Sequence, residues 1–212
     1  MVTIQPHDLS DRYEVPKALL CSASDYFVKA LSNSKESDER LLRLPGCGPD
    51  TLELFLYWLY HKQLPDSMGT GESTTTVNAI HELQLQLARA WCFGNAYLLP
   101  KLQNQAMLRL IEIMHRYRLS LGTIRYVFVN SPDEGHLRTV AAREAVVRHD
   151  CGGYTSDELD ELGRIAGFFE RFLQEQRDWR IGTWECSPSC RARGDCECET
   201  CRSDTTIYTV PE

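Results

Sequence analysis

Cys186, Cys190, Cys196, Cys198 and Cys201 follow one another near the end of a 212-residue chain that holds nine cysteines. Thiolates are good zinc ligands, and four of them would close a tetrahedral structural site. The spacing is irregular. Only Cys198-x2-Cys201 has the form of a short metal knuckle, and no second one stands at a standard distance. Three readings stay open: a zinc site, disulfides or redox thiols, and a flexible tail whose cysteines have no fixed partner. The stretch carries Arg191, Arg193 and Arg202 against Glu185, Asp195, Glu197, Glu199, Asp204 and Glu212, so it is no arm for nucleic acid.

A nucleophile is harder to find. Cys92 and His81 could be drawn as a thiol and its base, but both fall on one expected helix. Eleven positions on a helix separate side chains by ~16 Å along the axis. A cysteine between Trp91 and Phe93 reads as a small buried hydrophobe. His61, His115, His136 and His149 stand near expected helix ends or loops, where solvated or capping roles are usual. No Gly-rich phosphate loop follows a strand, and no G-x-S-x-G or H-E-x-x-H occurs.

The chain that must position these groups is 42% hydrophobic and 25% charged, as globular domains are. Its net charge of -7 argues against broad nucleic-acid binding. No apolar run approaches the ~20 residues of a membrane span, and the N-terminus does not read as a secretory signal. A cytoplasmic or nuclear compartment is therefore expected, with thiols mostly reduced.

Val2–Ile4 and Tyr13–Val15 are β-prone runs around a polar stretch, which predicts a hairpin. Pro16 suits the first turn of a helix whose stripe is Leu19, Leu20, Ala23, Phe27, Ala30 and Leu31. Leu41–Leu44 is a further strand. Asp50 reads as an N-cap with Glu53 three places on, ahead of the stripe Leu52, Phe55, Leu56, Leu59 and Tyr60. Residues 65–78 form an expected exposed loop. The next helix turns Ile80, Leu83, Leu87, Ala90, Trp91 and Gly94 inward. Pro100 opens another, carrying Leu102, Ala106, Leu110 and Ile113. Residues 119–177 read as all-helical, with breaks at Asn130-Ser131-Pro132 and Gly152-Gly153. Thr155 and Glu158 form a capping box ahead of the stripe Leu159, Leu162, Ala166, Phe169 and Leu173. Phe27, Phe55, Trp58, Tyr60 and Trp91 are assigned to the core.

Three segments resemble a known family. Tyr13-Glu14-Val15-Pro16-Lys17-Ala18-Leu19-Leu20, with Ser24, Tyr26 and Phe27, resembles the first strand-to-helix turn of a BTB/POZ domain. Leu52–Tyr60 resembles that family's F-x-x-F-L-x-W-L-Y helix, and Leu99–Ala106 its I/L-P-x-L-x-N-x-A/L boundary. The resemblance covers about residues 2–116, and Pro16 with the Leu102-Gln103-Asn104 run is similar to many BTB proteins of filamentous fungi. It implies a helical cluster with a small sheet on one side. With the hairpin at Val2, it implies the short form without the strand that other members exchange between subunits. In cullin-binding members an apolar residue precedes x-Glu after the first helix. Here Ser34 stands at that position before Glu36, which weighs against cullin binding.

The expected fold is α+β, mainly α. A BTB/POZ-like domain occupies 1–118, a helical extension packed on it 119–180, and a Cys-rich tail 181–212. The expected function is protein–protein interaction, as a non-enzymatic adaptor or scaffold. The alternatives are a small zinc-binding protein acting through Cys186, Cys190, Cys196, Cys198 and Cys201, and a substrate adaptor of a cullin-type ubiquitin ligase. No cofactor is expected apart from zinc at those cysteines. The expected partners are other proteins, not nucleic acid or membrane.

Overall fold

The structure, a computed structural model, describes residues 1–6, 12–32, 41–65, 76–180 and 210. The chain runs β1 (Val2–Pro6), β2 (Tyr13–Val15), α1 (Lys17–Ala23), α2 (Asp25–Ser32), β3 (Leu41–Leu44), α3 (Pro49–His61), α4 (Val77–Ala96) and α5 (Pro100–Met114). It continues through α6 (Leu121–Asn130), α7 (His136–Asp150), α8 (Ser156–Gly163) and α9 (Phe168–Arg180). The mainly helical α+β class expected from the sequence is what forms.

The sheet has the order β2-β1-β3. β1 and β2 pair antiparallel, Val2 facing Val15, whereas β3 runs parallel to β1, Ile4 facing Leu42. Parallel pairing needs a crossover, and the chain leaving β2 through α1 and α2 supplies it. Alternation along β1 buries Val2 and Ile4 on one face.

Two apolar clusters fill the interior. One gathers Val2, Ile4, Leu20, Phe27, Leu52, Phe55, Leu59, Phe93 and Leu102 against the sheet. The other gathers Leu83, Leu87, Trp91, Met107, Leu110, Ile124, Val140, Ala145, Leu162 and Phe172 among the later helices. Helices α4 and α5 serve both, because their apolar stripes continue past the reach of a single cluster. Gly94 allows the pair to close: a Cβ there would stand 2.7 Å from Gln103 Cγ. The extension is thus built onto the first half through a shared helical pair.

Five expectations need correction. The helix expected from Pro16 is two helices. Ser24 is extended at φ −160°, and its Oγ accepts the Tyr26 N–H at 3.0 Å while donating to the Tyr97 carbonyl at 2.6 Å. It is a buried capping serine that starts α2.

Helix α3 begins at Pro49 after Gly48, not behind an Asp50 cap. Proline at the first position is pre-set for the helix. Its buried residues are Thr51, Leu52, Leu54, Phe55, Trp58 and Leu59, whereas Leu56 is half-buried and Tyr60 exposed. Tyr60 therefore leaves the core assignment, while Phe27, Phe55, Trp58 and Trp91 keep it. The expected loop ends sooner than Asn78, since the Thr76 side chain caps α4 by accepting the Ala79 N–H.

The last stripe is out of phase. Between α8 and α9 the chain turns at Gly167, φ +75°, a left-handed conformation that glycine adopts without strain. The turn resets the helical phase, so Phe168, Phe172 and Glu175 face inward and Phe169 and Leu173 face out. Leu162 stays buried, joined by Ile165 in place of Ala166. The Thr155–Glu158 capping box forms as expected.

Candidate interaction surfaces

The residues that could do chemistry are kept apart. Cys92 and His81 both lie on α4, as expected. Burial pushes the Cys92 thiol up to about 12, against an opposing pull from Arg138. Burial does the same to Cys47, also to about 12. A thiol so raised is neutral near pH 7 and a poor nucleophile. His61 ends α3, His115 follows α5, His136 opens α7 and His149 sits in its last turn. Among the described residues no group of three His, Cys, Asp or Glu side chains could hold a metal ion. Cys186, Cys190, Cys196, Cys198 and Cys201 lie outside the described residues, as do Ser34 and Glu36.

What the fold displays instead are aromatic surfaces. On α3 the buried side locks Phe55 and Trp58 into the first cluster, so the opposite side must carry Tyr57 and Tyr60 outward, 41% and 55% exposed. Tyr57 stacks on His61 with ring centroids 4.2 Å apart. The end of the helix is fixed twice. Lys62 adopts the left-handed conformation and donates its N–H to the Trp58 carbonyl at 2.7 Å, and its own carbonyl accepts from Gln105 Nε2 at 2.9 Å. Rigid, partly solvated tyrosines bury large area at low entropic cost when a partner arrives.

A second surface lies on α9. Phe169 and Leu173, 56% and 47% exposed, sit one turn apart. The helix is held from its inner side. Phe168 packs edge-on against Phe128 with centroids 5.2 Å apart. Glu175 accepts from Arg143 Nε at 2.8 Å and pairs with Arg171 at 3.1 Å, at a position almost closed to water.

A buried polar network fastens the extension to α5. Glu144 on α7 is fully buried, and burial pushes its carboxyl up to about 7 although Arg148 Nε donates to it at 2.6 Å. The same guanidinium donates to the Met114 carbonyl at the end of α5, 2.9 Å away. Next along, Arg118 lies over the Tyr154 ring, donates to the Gly153 carbonyl at 2.6 Å and pairs with Glu158. Hydrogen bonds from Arg118 hold the Glu158 carboxyl down at about 2, with help from the Thr155 backbone. Most of this network escapes local sequence pattern; its visible signals are the Thr155–Glu158 capping box and a glutamate among Ala142, Ala145, Val146 and Val147.

The BTB/POZ domain family model matches residues 2–95. These residues form a BTB/POZ domain. No curated protein matches the chain. The match ends at Asn95, next to the last residue of α4, so this helix carries the continuity from the matched residues into the helices that follow. BTB/POZ domains are protein-interaction modules, and the exposed tyrosines of α3 belong to this one. Among the described residues no helix is long and apolar enough to cross a membrane.

Proposed function

We propose that this chain is a non-enzymatic adaptor. Its BTB/POZ domain takes one protein on the α3 surface, and its helical extension offers a second surface on α9. The observation that carries the reading is the pair of rigidly backed, solvent-facing tyrosines, Tyr57 and Tyr60, on a helix whose other side is core. The shared α4–α5 pair supports an adaptor in particular, because it ties the two surfaces to one body. Cytoplasm or nucleus is the compartment that suits this role.

The test is capture of the tagged chain from its source cells, followed by cross-link mapping on the captured partner. Cross-links from Lys62 and the residues flanking α3 support the reading. Cross-links confined to other surfaces contradict it. A cullin among the captured proteins would make the adaptor one of a ubiquitin ligase, despite Ser34 before Glu36.

A second reading, zinc binding by Cys186, Cys190, Cys196, Cys198 and Cys201, is favoured by the Cys198-x2-Cys201 spacing. Metal content of the purified chain, with those cysteines intact and replaced by serine, decides it.

A further inference from the structure

Asn104 stands on α5, half-buried, and makes two hydrogen bonds to one residue at the far end of the chain. Its Nδ2 donates to the Val210 carbonyl at 2.8 Å, and its Oδ1 accepts the Val210 N–H at 2.6 Å. The Val210 side chain, partly buried, packs against the cluster of the later helices. A carboxamide that donates to the carbonyl and accepts from the N–H of the same residue satisfies that residue as a neighbouring β-strand would. It reads main chain and ignores sequence. Selectivity is left to the apolar contact that accepts the valine.

We propose that Asn104 marks a docking site on α5 for the backbone of a small apolar residue in an extended peptide, and that the chain's own Val210 is its resident occupant. This goes beyond the adaptor reading and does not depend on it. Side-chain amides facing the outside of a helix are ordinarily solvated. Here both hydrogen-bonding functions of one amide converge on a single backbone unit 106 positions away. Tethering makes such an occupant strong for its size, since a linked segment faces its site at an effective concentration in the millimolar range. Any other extended segment of the same chemistry must displace the tail first.

Nuclear magnetic resonance of the isotopically labelled full-length chain tests this. The Val210 amide should exchange at least ~10-fold more slowly in the wild type than in Asn104→Ala, a factor that corresponds to about 1.4 kcal/mol. Alanine favours the helix, so α5 should persist, and an unchanged melting temperature verifies it. Asn104→Asp keeps the acceptor and loses the donor, and should fall between the two. The occupant is then probed with a synthetic peptide of residues 205–212. Titrated into full-length Val210→Pro, whose residue 210 has no N–H to give, it should shift the Asn104 side-chain amide signals. Titrated into the wild type at the same concentration, it should shift them far less. A Val210 amide that exchanges at the unprotected rate in the wild type overturns the proposal. So does a peptide that shifts both chains equally, or neither. Protection that fades on dilution would mean the occupant is a second copy's tail, which overturns occupancy by the chain's own tail.

Discussion

Glu144 and Arg148 face each other one turn apart on α7, Oε1 to Nε 2.6 Å, at a place where the glutamate has no exposure at all. The guanidinium favours the carboxylate, but burial outweighs it and leaves the group up at about 7. In the unfolded chain an ordinary glutamate titrates near 4.5. Between those values the folded chain holds a proton that the unfolded chain has released, so stability falls as pH rises through this window and levels off above it.

Glu144→Gln removes that proton. The variant should gain on the wild type as pH rises from ~5 to ~8, by about 2.5 kcal/mol over that range, one pKa unit being worth ~1.4 kcal/mol. Urea unfolding at both ends of the range measures it. A difference that does not change with pH would mean the arginine holds the group ionised throughout.

The faces of α3 predict opposite outcomes for neighbours. Leu59→Asp puts an unpaired carboxylate into the first cluster, where the cost of several kcal/mol rivals a whole domain's stability of about 5–15. Tyr60→Asp should change stability by less than ~0.5 kcal/mol. Leu56→Asp, at a half-buried position, should fall between them. Thermal unfolding of the three variants gives the order, and a destabilised Tyr60→Asp would place that ring in the core.

Gly167 and Gly163 make a matched pair. Gly167→Ala forces a Cβ into the left-handed region and should cost about 1–2 kcal/mol. Gly163, the last residue of α8, has open space where its Cβ would be, so Gly163→Ala should be neutral or slightly stabilising. Equal melting temperatures for the two variants would deny the phase reset before α9.

Those positions also show how far the sequence could be read. Periodicity found the interior of α4 and α5, because long uninterrupted helices keep their phase. It failed at α9, where one glycine torsion moved the stripe by a residue and brought Phe168 and Phe172 inside. It failed at Tyr60 because an apolar ring at helical spacing looks like core wherever it stands. Ser24 does not read as a helix break because helical spacing continues across it, and its partner, the Tyr97 carbonyl, is far away in sequence. The Asn104–Val210 pair joins positions no local pattern relates, and the α3 surface became legible only once its buried side was known.

Thiol reactivity should sort the same way as burial. Cys151 is exposed, whereas Cys47 and Cys92 are raised to about 12 by burial. Peptide-resolved labelling of the native chain should modify Cys151 before Cys47 and Cys92, which wait for unfolding. Early labelling of Cys92 would point to a reactive thiol on α4 and reopen an enzymatic reading.

Metal removal tests the cysteine-rich stretch. If its thiols have no fixed partner, a chelator should leave the melting temperature unchanged. A fall of more than a few degrees would assign Cys186, Cys190, Cys196, Cys198 and Cys201 to a structural metal site, since a metal bound only by the folded state stabilises it.

The adaptor proposal rests on α3, so the most direct measurement is the affinity of the captured partner for the wild-type chain and for Tyr57→Ala/Tyr60→Ala. Both rings are exposed, so the double variant should melt with the wild type. If they anchor a partner, binding should weaken by more than ~30-fold, the loss of about 2 kcal/mol that marks an interface hot spot. An unchanged affinity in a folded double variant would contradict the account.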